Sequence, residues 1–123
     1  MKLRFGDQEV QIDLLEAQAP ETVAGIRGLL PFKAHAVHSK FAGYEIMIPI
    51  PAVLERENQV ENVGPGDVGY YMDNGILCLF YGEIDPFAAV NLVGKVSAGL
   101  DALGEFGTTL LQDGPQRVYL SQT

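Results

Sequence analysis

A chain of 123 residues, 47% hydrophobic and 20% charged, suits one globular domain over residues 1–123 with a core of its own, and is unlike a disordered sequence. Sixteen acidic residues against eight basic ones give a net charge of −8, a field that repels phosphate backbones and anionic membrane surfaces, so neither nucleic acid nor a membrane is expected as a partner. The longest unbroken apolar run, Ile76 to Tyr81, is far too short to span a membrane.

Leu3 and Phe5 alternate with Lys2 and Arg4, the period-2 pattern of a half-buried strand. Gly6-Asp7-Gln8 carries turn chemistry, and Val10, Ile12 and Leu14 then alternate with polar residues, so residues 2–14 predict a hairpin with one apolar face. The period changes at Pro20, which suits a first helical position, with Glu21 at the positive end of the helix dipole. Val23, Ile26 and Leu30 follow at spacings of three and four, predicting a helix that Pro31 ends.

Residues 32–41 predict a short mixed strand. Tyr44, Ile46, Ile48 and Ile50 alternate with Glu45, Met47 and Pro49 in another that stops near Pro51. Residues 52–66 read as a long polar connection. Val68 to Met72 and Ile76 to Tyr81 flank Asp73-Asn74-Gly75, where Asn-Gly predicts a type I′ hairpin turn. The second arm is apolar on both faces, so it predicts a central strand covered on one side by a helix. Gly94 and Gly99, each costing a helix about 1 kcal/mol relative to Ala, favour a strand through Val96 and then a short helix. Gly114-Pro115 predicts a turn before a last strand through Val118 and Leu120. Seven or eight strands and two helices in one domain imply a closed barrel, which leaves no sheet edge exposed.

Two segments, in matching order, resemble cyclophilins. Residues 19–29, with Pro20-Glu21-Thr22 and Ile26 four after the Thr, resemble the first cyclophilin helix. Residues 93–101, with Gly94-Lys95-Val96 and Gly99, resemble the late strand-turn-helix. Gly66 to Tyr71 and Cys78 to Gly82 are closer still to a small prokaryotic cyclophilin-like family of unknown function, nearly end to end. The resemblance implies a mainly β fold: a closed cyclophilin-like β-barrel with two short helices packed on it. In cyclophilins an arginine follows a Phe-His pair after the first helix. Here Val37-His38 is followed by Ser39 and Lys40, and an ammonium is a point charge without the guanidinium's planar fork. The motifs lining the cyclophilin proline pocket have no counterpart.

The candidate ligand site is a polar set at one barrel end: His38, Glu45, Glu61, Asn62, Tyr71 and Tyr81, with Asn91 beside them. A carboxylate, an amide and phenols converging on an apolar barrel end would make a small-ligand pocket. Burial that raised the pKa of Glu45 or Glu61 would suit it to general acid or base work with His38 as partner. No catalytic residue is assigned. His35 and His38 stand three apart, on opposite faces of a strand, so no metal or other cofactor is expected. Ser39 beside His38 lacks a nucleophile elbow, and the Gly64–Gly69 segment precedes a strand, so it reads as a turn and not a phosphate loop. The eight basic residues are scattered singly along the sequence.

The expected function is binding of a small molecule or peptide at one barrel end. The alternatives are a peptidyl-prolyl isomerase and a non-catalytic interaction module, the last suggested by Tyr119 and Tyr70-Tyr71 if they are exposed. A homodimer is the default association. Met1 to Phe5 lacks a signal peptide's apolar stretch, and Cys78 is the single cysteine and reads as a small core hydrophobe, so a reducing cytoplasm is the expected compartment.

Overall fold

Where apolar and polar residues alternate the chain forms strands, and where apolar residues recur every three or four it forms helices. The computed structural model describes residues 1–39, 43–84 and 88–123. Among them the order is β1 (Lys2–Phe5), β2 (Gln8–Leu14), α1 (Pro20–Arg27), β3 (Phe32–His38), β4 (Gly43–Pro49), β5 (Gln59–Val60), β6 (Asp67–Tyr71), β7 (Ile76–Ile84), β8 (Val90–Ala98), α2 (Leu100–Asp113) and β9 (Gln116–Ser121).

Eight strands close a ring in the order β1-β9-β3-β4-β7-β6-β8-β2 and back to β1, every pairing antiparallel. β2 pairs with β8 as far as Leu14↔Gly94. Beyond that point β5 takes over the vacated edge through Gln59↔Asn91 and Val60↔Val90. The alternating apolar sets, such as Leu3, Ile12, Ile48, Leu79 and Leu120, are buried in one cluster inside the ring. An eight-stranded barrel is just wide enough for such side chains to fill it.

The two helices stop the two mouths. α2 buries Leu103, Phe106 and Leu110, and Phe106 stacks on Phe5 at 4.0 Å. The chain can enter this helix only through Gly99, at φ +94°, where a Cβ would stand 2.7 Å from the Glu9 carbonyl oxygen. α1 buries Val23 and Ile26 toward the core. At eight residues it is too short to be stable alone, and Ala19 offers no side-chain cap. Its cap comes instead from the 52–66 connection. The Glu57 carboxylate accepts the backbone N–H groups of Thr22 at 2.8 Å and Glu21 at 3.2 Å, and the Thr22 N–H is the main reason its pKa is lowered.

Asn91, fully buried on β8, holds that connection in place. Its side-chain oxygen accepts from the Glu57 N–H and from Gln59 Nε2. Its amide nitrogen donates to the Glu55 carbonyl and to Thr22 Oγ1. One side chain therefore joins barrel, connection and first helix.

Several expectations change. α1 stops at Arg27, before Pro31. α2 is 14 residues long, because Gly99 starts it and does not interrupt it. The β6–β7 loop has four residues between Tyr71 and Ile76, closed by the Gly75 N–H on the Tyr71 carbonyl. Gly75 has a positive φ and Asn74 does not, so the turn is not type I′. A helix does cover one side of β7, where α2 lies against Tyr81, while Val60 and Val63 of the connection cover its outer face. Tyr70 and Tyr71 are buried, which removes them as an exposed interaction surface. Lys40 and Phe41 lie outside the described residues.

Asn91→Ala leaves the Glu57 N–H, the Gln59 amide and the Glu55 carbonyl unpaired and partly buried. It is expected to cost about 2–4 kcal/mol in urea denaturation.

Candidate functional site

β3 ends at His38, which pairs with Ile46 and so shares that residue's lumen-side face at the α2 end. Tyr81 on β7 continues the face of Leu77 and Leu79. Its hydroxyl lies 2.6 Å from His38 Nε2, and His38 Nδ1 lies 2.7 Å from the Ser39 carbonyl oxygen. A carbonyl only accepts, so Nδ1 donates to it, and in the neutral ring Nε2 accepts the Tyr81 O–H. Burial, then the neighbouring Tyr44, push the Tyr81 pKa up, which keeps it a donor. Tyr44 meets Tyr81 edge-on at 5.5 Å. Gly107 of α2 rests against the Tyr81 ring, where a Cβ would overlap it.

Glu45 faces the other way. It pairs with Phe80, one residue out of phase with Ile46, so it points to the outer side of the sheet. It is 1% exposed, and its carboxyl oxygens have no hydrogen-bond partner among the described residues. Burial raises its pKa, and the Cys78 thiol beside it offsets this only in part. Burial likewise raises Cys78 and Tyr71, with Glu45 the next cause for both. Burial thus favours the protonated form of all three acids, and it works against thiolate character at Cys78. The expectation that His38 would partner Glu45 is corrected by the register, which puts them on opposite faces of the sheet.

Glu61 and Asn62 are exposed, just after β5. The structure therefore brings His38 to Tyr81 and Glu45 to Tyr71, and joins neither pair to Glu61 and Asn62. Asn91 is consumed by its structural bonds. Among the described residues no group of three or more His, Cys, Asp and Glu is placed to hold a metal ion.

What sequence reasoning missed is a cavity of about 350 Å³ at the α2 end, between the β1–β2 turn and the helix. Phe5 and Phe106 contribute apolar surface, Asp7 and Glu105 are its carboxylates, and Gln116 and Arg117 line it from the start of β9. Gly6-Asp7-Gln8 was visible as a turn. Nothing in the sequence announced that α2 would lie against it.

A family model, DUF3830, described as a protein of unknown function, matches residues 1–122. No curated protein matches the chain. Among solved structures, McbB, determined in complex with tryptophan, superposes with a TM-score of 0.87 at 20% identity, over 99% of this chain and 44% of its own. The chain thus spans less than half of McbB, and at this identity the likeness is one of fold. The solution structure of the hypothetical protein AF2241 from Archaeoglobus fulgidus gives 0.75 at 28% identity, covering 99% of this chain and 92% of that one.

Two substitutions read out this geometry. Gly107→Ala should lower Tm, because overlap with Tyr81, about 1–3 kcal/mol, outweighs the roughly 1 kcal/mol of helix propensity gained. Gly104→Ala, whose Cβ would meet Tyr81 at an ordinary 3.7 Å, should leave Tm unchanged or raise it. For Glu45 the folded pKa lies above the unfolded one, so wild-type stability falls as pH rises from the unfolded carboxylate value through the folded one. Glu45→Gln is expected to raise stability above that window by about 1–2 kcal/mol, and to match wild type near pH 4 in thermal melts.

Proposed function

We propose that this chain, which belongs to the DUF3830 family, binds a small molecule at the α2 end of a cyclophilin-like barrel, in the cavity beside the β1–β2 turn. The observation that carries the reading is the mixed lining of that cavity. An apolar surface from Phe5 and Phe106 lines it together with two carboxylates, Asp7 and Glu105, and the Arg117 guanidinium. Its volume falls within the ordinary range for small-molecule sites, about 300–1,000 Å³.

Carboxylates and an arginine lining one cavity suit a ligand with both an ammonium and a carboxylate, in short a free amino acid or a close relative. Asp7 and Glu105 would accept from the ammonium. Arg117 would take the carboxylate, which its planar fork matches, and an apolar side chain would lie toward Phe5 and Phe106. McbB, whose fold this chain shares over 44% of McbB's length, was determined in complex with tryptophan, a ligand of the same class, which supports the reading. The cyclophilin-like description is supported by the helix opening at Pro20, by Gly94-Lys95-Val96 within β8, and by one helix over each mouth.

Calorimetric titration with a panel of free amino acids, tryptophan first, tests this. Saturable binding is expected, weakened at least tenfold, or about 1.4 kcal/mol, by Arg117→Ala and by Asp7→Asn with Glu105→Gln. Flat titrations across the panel, with no small molecule carried through purification in native mass spectra, would overturn it.

A further inference from the structure

Four of the eight Lys and Arg that are scattered in sequence come together in space. β9 lies between β1 and β3, and beside β9 the residues facing away from the core include Lys2 and Arg4 of β1, Lys33 and His35 of β3, and Arg117 and Tyr119 of β9 itself. Arg4 and Lys33 both pair with Tyr119, one from each side. Arg117 pairs with His35, and Lys2 with Ser121. Four of the eight basic residues therefore share one patch of barrel wall, around a half-buried tyrosine. A cavity of about 210 Å³ opens there, lined by Arg4, Lys33, Arg117 and Tyr119 with the Gly6 turn.

The charge of this patch is only partly answered. Glu9 sits 3.5 Å from Lys2 and 3.3 Å from Arg4. Lys33 and Arg117 are exposed and have no ion pair among the described residues. Like charges on adjacent strands repel. A chain with sixteen acidic residues had ample means to neutralise them, and Lys95, on the other side of the barrel, does have its Asp67. The wall cations are left open.

We propose that this wall is a binding site for a compact oxyanion, the phosphate or paired carboxylates of a small molecule. Arg4 and Arg117 offer planar donor forks, and Lys33 supplies a point charge from the third strand. Tyr119, between them, can add a hydroxyl. The cavity is smaller than sites for drug-sized ligands, which fits a compact anionic group. The chain's net charge of −8 disfavours a long polyanion, which would have to lie along acidic surface as well.

The test is titration of the full chain at low salt with inorganic phosphate and, separately, with malonate, followed by calorimetry and by Tm, against sodium chloride at matched ionic strength. Saturable binding of either probe is expected. Phosphate alone would identify a phosphate-bearing ligand, malonate alone a dicarboxylate, and both a site for either. Lys33→Gln with Arg117→Gln should weaken binding at least tenfold. Arg56→Gln with Lys95→Gln removes the same charge elsewhere and should change it less than twofold. Lys33→Gln alone separates this wall from the amino-acid cavity, which Arg117 also lines and Lys33 does not. Equal weakening by both double variants, or a response reproduced by sodium chloride, would overturn the proposal. So would an acidic peptide that binds where neither small anion does.

Discussion

The interior of an eight-stranded antiparallel barrel has room for its own side chains and little else, and the other features of this chain follow from that limit. The lumen is taken by residues such as Leu3, Ile48, Tyr70 and Leu79, and both mouths must be stopped to keep them dry. α2 stops one with Phe106 and Leu110. α1 stops the other, and at eight residues it needs Glu57 of the connection to cap it. A barrel filled and plugged in this way leaves concave surface at the rim, where α2 meets the β1–β2 turn, and on the outer wall of β1, β9 and β3.

Two glutamates show how the same side chain is driven in opposite directions by its surroundings. Glu57 is half-buried and accepts two backbone N–H groups at a helix terminus, which favours its charged form and lowers its pKa. Glu45 is buried beside a thiol and a phenol that are themselves harder to ionise there, and its pKa rises. Glu57 adds stability that is present above the unfolded carboxylate pKa and fades as pH falls through its lowered value. Glu45 has the reverse dependence, costing stability as pH rises. Acid weakens the cap of α1 while relieving the wall behind β4.

The inward faces were legible in the sequence because period-2 alternation is a local property. Leu3, Phe5, Ile46, Ile48, Val118 and Leu120 all went where the pattern put them. The closed barrel and both helices were legible for the same reason. Pairing was less so. Which strand lies beside which depends on β9 inserting between β1 and β3, although it begins 78 residues after β3 ends and further still from β1. The His38–Glu45 partnership failed on a single step of register, since Glu45 is adjacent to the residue that faces His38. The four-residue turn before Ile76 was missed because Asn74-Gly75 supplies one positive φ where a type I′ turn needs two. The rim cavity had no local signature, because it exists only once a helix from residues 100–113 meets a turn at residue 6.

Net charge and local charge differ on this molecule, and the reason is one of length scale. A total of −8 describes the field a large partner feels when it spans the molecule. At physiological salt, charges beyond about 8 Å are largely screened. Three neighbouring strands, spaced at about 4.8 Å, make a patch wider than that screening length. A small anion arriving at β1-β9-β3 therefore meets Arg4, Lys33 and Arg117 first, with the acidic residues of the opposite wall screened from it. The averaged charge still argues against polymers such as nucleic acid, which cannot avoid the acidic surface. It says nothing against a ligand small enough to sit wholly within the basic patch, because which residues make a patch is decided by strand order, and composition does not contain it.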